Sequence, residues 1–359
     1  MKIGIVGMPN AGKSSLFNAL TQAGAEAANY PFTTIEPNVA VVPVVDDRLQ
    51  RVAETVGASE LVYDTVYFHD IAGLVAGASS GEGLGNKFLA NIRETDAILH
   101  VVRAHRDDNV IHPEGRVDPL ADIETIETEL ILADLEQAER RIERVVRTAR
   151  GGDRAAISEL AWLEQLIDAL QSGRPARTVA PPKDAPDAMR LLGPLTAKPV
   201  LFVANVDEGS DEIPEPIIEH AAGQGAGVVA VSARIEAELG ELDDDEAQAM
   251  REGLGVGESG LQRVVRGAFD LLDLIAFFTA GEAKPAQSWH LRRGLTAWHA
   301  AGQIHSDIQR GFVRAEVIGW EALVEAGGYA GGRERGTLRL EGRDYVIADG
   351  DVINVKFTP

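Results

Sequence analysis

Cysteine is absent from the 359 residues. That removes disulfides, thiolate metal ligands and thiol nucleophiles together, and it suits a reducing compartment without requiring one. Also missing is any apolar run approaching the ~20 residues needed to span a bilayer. The chain begins directly on a strand-like segment, with no signal-peptide pattern. A cytoplasmic protein with no membrane partner is the expectation. Positive charge is scarce as well: 34 Lys and Arg stand against 56 Asp and Glu, a formal net charge of −22. Such a field opposes non-specific nucleic-acid binding. No sequence-specific DNA partner is expected, and an RNA partner would need a local basic patch.

What is present is organised around Gly7-Met8-Pro9-Asn10-Ala11-Gly12-Lys13-Ser14, a complete G-x-x-x-x-G-K-S phosphate loop. Lys2 to Val6 before it reads as a buried strand, and Ser15 to Thr21 after it as a helix. The glycines allow close backbone approach to phosphate. The amides of Asn10, Ala11, Gly12, Lys13, Ser14 and Ser15, at a helix N-terminus, would face the anion. Lys13 would reach the β- and γ-phosphates, and the Ser14 hydroxyl would meet Mg²⁺.

Downstream elements follow in the order such a domain needs. The loop Asn29 to Asn38 carries Thr34, a candidate sensor of γ-phosphate and Mg²⁺, with Thr33 in reserve. A plain hydroxyl-capped turn is the alternative. The next strand ends in Asp70-Ile71-Ala72-Gly73, a D-x-x-G arrangement. Asp70 would hold the Mg²⁺ shell through water, and the Gly73 N–H would meet the γ-phosphate. Many GTPases follow that glycine with a Gln that orients water; Leu74 stands here. His112, in a loop at the carboxyl edge of the third strand, is a candidate replacement. The alternative is a solvent-exposed loop histidine.

From Asp122 to Arg150 apolar residues recur at three- and four-residue spacing, and again from Arg154 to Ser172 after Gly151-Gly152. This reads as a helical hairpin inserted in the nucleotide domain. Arg140, Arg141, Arg144, Arg147, Arg150 and Arg154 cluster near its tip, either an RNA or protein contact or a solvated face. Then Val200 to Ala204 leads into Asn205-Val206-Asp207-Glu208, where GTPases carry N-K-x-D. Val206 replaces the Lys, Glu208 replaces the Asp, and Asp207 lies one position early. A lost polar match costs guanine discrimination, so ATP is favoured over GTP. Gly227 to Arg234 reads as the domain's last strand, with Ser232-Ala233 closing over the base. An acidic linker is expected at Glu241 to Glu246.

In Gly7 to Ser14, Asn29 to Asn38, Asp70 to Val75, Gly81 to Asn86 and Asn91 to Ala97, the chain resembles the YchF family of Obg-like P-loop ATPases. The resemblance implies an α/β fold: a Ras-like P-loop NTPase domain (1–121 and 196–275), an inserted α-helical hairpin (122–195) and a C-terminal β-grasp (TGS) domain (276–359). It implies ATP preference through the N-x-x-E motif at Asn205 to Glu208. Ser14 and Thr34 would be Mg²⁺ ligands, and Asn10 sits where potassium-dependent relatives hold K⁺. The ribosome is the implied partner, through the hairpin and the TGS domain. Thiol-based redox control, proposed for the family, has no residue to act on here.

The C-terminal pattern agrees with that resemblance. A helix from Leu261 to Leu274 precedes strands at Trp289 to Leu291 and Gly311 to Ile318. Two more are expected around an Asp-Gly turn between Arg343 and Val355. His305 and Asp307 have no nucleophile beside them and read as structural or partner-binding. The sum is a slowly turning-over ATP switch that associates with the ribosome. A GTPase of the same fold, and an RNA- or ribosome-binding module with a structural nucleotide, stay open beside it.

Overall fold

A computed structural model describes residues 1–26, 38–71, 84–105, 118–242, 244–254 and 259–358. Thr34, Gly73, Leu74 and His112 lie outside them. The described chain divides into two compact units, residues 1–42 with 67–271 and residues 43–66 with 272–359. Its strands, in chain order, are β1 (Lys2–Val6), β2 (Val39–Pro43), β3 (Leu61–Val62), β4 (Thr65–Asp70), β5 (Ala97–Arg103) and β6 (Val200–Asn205). They continue as β7 (Gly227–Val231), β8 (Leu274–Thr279), β9 (Ala286–Arg292), β10 (Phe312–Gly319), β11 (Arg339–Glu341) and β12 (Asp351–Phe357).

The first unit holds a six-stranded sheet ordered β2-β4-β1-β5-β6-β7. β1 pairs in parallel with β4 and β5, and β6 lies parallel to β5 and β7. Every residue of β5 is buried, as the continuous apolar runs of a doubly covered parallel sheet require. β1 leads through the phosphate loop into α1 (Lys13–Glu26). That order sets the carboxyl ends of β1, β4, β5 and β6 along one edge, where ligands of such sheets collect.

The helical hairpin is present. Its first helix (Pro119–Arg150) starts three residues ahead of the expected point, because Asp118 caps it through the Ala121 amide and Pro119 takes the first turn. After Gly151 and Gly152, the second (Arg154–Gln171) begins on Asp153, whose carboxylate accepts from the Ala156 amide. Trp162, Leu163, Leu166 and Leu170 pack against Ala138 and Val145 in a core of the hairpin's own. At its base, Asp134 of the first helix takes three hydrogen bonds, from Leu195 N (2.7 Å), Thr196 N (2.8 Å) and Thr196 Oγ1 (2.7 Å).

The second unit is a mixed sheet ordered β11-β10-β12-β8-β9-β3. β8 and β9 form an antiparallel hairpin, and β12 returns parallel to β8. The helix Ala297–Ile304 buries Ala297 and Ala300 among Phe277, Leu291, Val317 and Ile353. A sheet clasping a helix between an N-terminal hairpin and a parallel last strand is a β-grasp.

Four local readings are revised. Residues 43–66, assigned by sequence to the N-terminal domain, cluster with the second unit. The helix Asp47–Val56 buries Leu49, Val52 and Ala53 beside Phe278, Ile318 and Val352, and β3 pairs with β9. Residues 343–349, expected as the first strand of a terminal pair, form no strand. They fold as a turn in which Asp351 accepts from Ala348 N and Tyr345 Oη, and only a single bridge, Val346 to Thr296, remains. β7 ends at Val231, and Ala233–Leu239 is a helix. The acidic stretch is not a plain linker: its last residues open the helix Asp244–Leu254, and acidic residue types are favoured in a helix's first turn.

Candidate functional site

The phosphate loop is shaped by two close approaches. Gly7 has φ +153°, and a Cβ there would meet the Val101 carbonyl oxygen at 2.3 Å. Gly12 has φ +98°, and a Cβ there would lie 2.1 Å from Asn205 Nδ2. Neither position admits a side chain without displacement. Asn10, between them, itself takes a left-handed φ of +63°, a conformation that Asn tolerates better than most residues.

Lys13 opens α1 with its side chain buried, and Nζ donates to the Met8 carbonyl at 2.8 Å. Burial lowers its pKa to about 8, and the Asp70 carboxylate opposes the shift. Asp70 ends β4 in register with Ile5 of β1. Burial raises its pKa, and Lys13 pulls it back. The sheet thus sets an acid from β4 beside the loop lysine.

Asn205, 6% exposed at the end of β6, lies directly against the phosphate loop. Its carboxamide donates from Nδ2 to the Ala11 carbonyl (3.0 Å) and accepts on Oδ1 from Ala233 N (3.1 Å). One side chain therefore ties the phosphate loop to the start of the helix Ala233–Leu239. Its backbone carbonyl takes Ala104 N (2.9 Å) and His105 Nδ1 (3.0 Å). Glu208 is exposed and pairs with Arg234 Nη1 at 3.0 Å, while Arg234 Nε donates to Glu238 at 3.2 Å.

A cleft of about 1020 Å³ opens beside the phosphate loop and the end of β6. Nine residues singled out by sequence border it: Asn10, Gly12, Lys13, Ser14 and Ser15 from the phosphate loop and the start of α1, and Asn205, Val206, Glu208 and Ser232 from beyond the ends of β6 and β7. Ala11 stands behind the wall and acts through its carbonyl. Val206 is mostly core, packed with Ile217 and Ala230. The cleft also takes in His105, Arg234, Asn18 and Glu238, to which the sequence reading gave no role. His105 was within reach of the rule that ligands gather past the carboxyl ends of strands. Arg234 carries no such signal, since only folding turns it toward Glu208.

A hard dication takes oxygen donors, and Mg²⁺ commonly rests on one or two protein oxygens plus phosphates and water. The Ser14 hydroxyl on the cleft wall and the Asp70 carboxylate beside Lys13 are donors of that kind. Among the described residues no group of three or more His, Cys, Asp or Glu forms a dedicated metal cage. The donor set fits a cation held chiefly by nucleotide. When bound, Mg²⁺ would neutralise phosphate charge.

Comparison with known proteins follows the same lines. A family model described as 50S ribosome-binding GTPase matches residues 2–142. The model of the YchF GTPase C-terminal region, described as a protein of unknown function, matches residues 274–358. The chain is 51% identical over 362 residues to the Ribosome-binding ATPase YchF of Bacillus subtilis, covering 99% of this chain and 98% of that protein. To the protein of the same name from Escherichia coli O157:H7 it is 50% identical over 359 residues, covering 99% of each. The solved structure of the Schizosaccharomyces pombe YchF GTPase is 34% identical, with a TM-score of 0.87 over 99% of this chain and 97% of that one. A GTP binding protein from Pyrococcus horikoshii, 22% identical with a TM-score of 0.64, shares the fold. With half of its residues matched along the full length of both bacterial proteins, and the same architecture in the yeast structure, the chain belongs to the YchF family.

Proposed function

We propose that this protein is an ATP-binding, ATP-hydrolysing switch that associates with the ribosome. The P-loop domain supports nucleotide binding, and the relatives' name, Ribosome-binding ATPase, supports hydrolysis and the ribosome. Names in the family differ on the nucleotide, since the yeast structure is called a GTPase.

The observation that favours ATP is the pairing of Glu208 with Arg234. A carboxylate that reads guanine must offer both oxygens to N1–H and the N2 amino group. Glu208 is a methylene longer than the usual Asp and is already engaged by a guanidinium. Adenine lacks the N2 amino group and needs no such carboxylate. Mg²⁺ would be held by Ser14, Thr34 and, through water, Asp70, with K⁺ near Asn10. Loops around Thr34 and Gly73 would respond to loss of the γ-phosphate. Turnover would be slow because Leu74 cannot orient water. The hairpin and the C-terminal β-grasp, read as a TGS domain, are the proposed ribosome contacts.

Competitive calorimetry of ATP against GTP with Mg²⁺, in K⁺ and in Na⁺, tests the nucleotide assignment. Equal or tighter GTP binding overturns it. Sedimentation with ribosomes, comparing wild type with Lys13→Ala, tests the switch: ribosome binding that is indifferent to nucleotide in the wild type leaves a binding module with a structural nucleotide.

A further inference from the structure

We propose that His105 contacts the base and selects adenine, by presenting a bare imidazole nitrogen to the amino group at purine position 6. The proposal rests on reading the cleft as an ATP site.

His105 follows β5, the strand between β1 and β6, and borders the cleft together with Asn205 and Ser232. Its Nδ1 lies 3.0 Å from the Asn205 carbonyl oxygen. A carbonyl oxygen has no proton to give, so Nδ1 carries the hydrogen. In a neutral imidazole the other nitrogen is then an acceptor. Among the described residues none donates to Nε2, and every interaction of His105 is accounted for by the bond to Asn205. The tautomer is set by the backbone, and an acceptor is left for a ligand.

The anchor also fixes where the ring stands. It hangs on the backbone of Asn205, the first residue of the Asn205-to-Glu208 segment, and borders the same cleft as Lys13. With Asn205 to Glu208 read as the base-reading segment, that is the base side of the site. At position 6 adenine carries an N–H₂ donor, and guanine carries a carbonyl acceptor. An Nε2 lone pair attracts the first and repels the second. Glu208, drawn to Arg234, removes the feature that would reward guanine. His105 supplies the complementary feature, one that rewards adenine.

The test is calorimetry with Mg²⁺ and three triphosphates that share ribose and phosphates: ATP, purine riboside triphosphate without a 6-substituent, and inosine triphosphate with a 6-carbonyl. Each is titrated into wild type, His105→Ala, His105→Gln and His105→Phe. One hydrogen bond predicts that wild type holds ATP roughly five- to tenfold more tightly than purine riboside triphosphate, with inosine triphosphate weakest. In His105→Ala the first gap closes. In His105→Gln, whose amide oxygen can accept, the gap returns at least in part. A gap that survives in His105→Ala overturns the proposal, and a gap that survives in His105→Phe does so too, because the ring would then act only by stacking. If the Ala variant does not fold, the Gln and Phe variants decide between the two. Wild-type preference for GTP over ATP overturns the ATP reading and this proposal with it. ATP preference that is unaltered in all three variants overturns this proposal alone.

Discussion

The carboxamide of Asn205 fills the space that a side chain on Gly12 would need, with Nδ2 only 2.1 Å from the ideal Cβ position. Two residues far apart in sequence thus define one wall between them. Gly12→Ala must push Asn205 off the Ala11 carbonyl and also strain a backbone at φ +98°. Nucleotide binding should weaken by more than about tenfold, the cost of one displaced buried hydrogen bond and its unpaired partner. Fluorescent-nucleotide titration reads it, and wild-type affinity in Gly12→Ala would sink the clasp.

Arg234→Ala should free Glu208. Both partners of this pair are exposed, so the pairing contributes at most about 1 kcal/mol. GTP affinity should rise up to about fivefold, with ATP affinity little changed. Identical ATP-to-GTP ratios in wild type and variant would show that Glu208 is no reader of the base in either state.

His100 gives a pH signature. It lies in β5, 3% exposed, tilted against Phe202 at a centroid distance of 5.4 Å. Burial lowers its pKa to about 3, with His220 and Lys13 adding to the effect. An unfolded histidine titrates near pH 6.5. Between those values the unfolded chain binds the extra proton, so the stabilisation is complete above pH 6.5 and falls as pH drops toward 3. Urea midpoints measured stepwise from neutral pH into that window should decline less steeply in His100→Leu than in wild type. Parallel declines would remove His100 from the acid response.

Asp134 fastens the hairpin. It is 1% exposed, and burial raises its pKa against the pull of its hydrogen bonds to Thr196 and Leu195. Asp134→Ala leaves three buried donors without an acceptor and should cost roughly 2–4 kcal/mol. Asp134→Asn should rescue it only in part, because its amide oxygen can still accept from Thr196 while its amide nitrogen faces the Leu195 donor. Thermal melts monitored at Trp162, which packs in the hairpin core, provide the measurement. Full stability in Asp134→Asn would mean that the hydrogen bonds contribute little.

Some of this was legible in the sequence because its causes are local. A strand, a Gly-rich loop and a helix follow one another from Lys2 to Glu26, and the glycines and Lys13 carry their chemistry at fixed spacing. The hairpin helices could be read from apolar spacing and from their breaks at Gly151 and Gly152, since periodicity and capping act over a few residues. Asn205 and Glu208 were visible as a departure from a known spacing, but not what they touch.

The sequence alone determined the phosphate loop, the hairpin and the order of strands along the nucleotide domain. Tertiary structure decided the rest. It placed Asp70 beside Lys13, laid Asn205 against Gly12, turned Arg234 to Glu208 and brought His105 into the cleft. It also drew residues 43–66 into the C-terminal unit, because the apolar face of Asp47–Val56 is buried among Phe278, Ile318 and Val352. The physical reason is common to all of them. Local backbone preferences are set by neighbours in the chain, whereas burial, desolvation and hydrogen-bond partners are set by residues that only folding brings close.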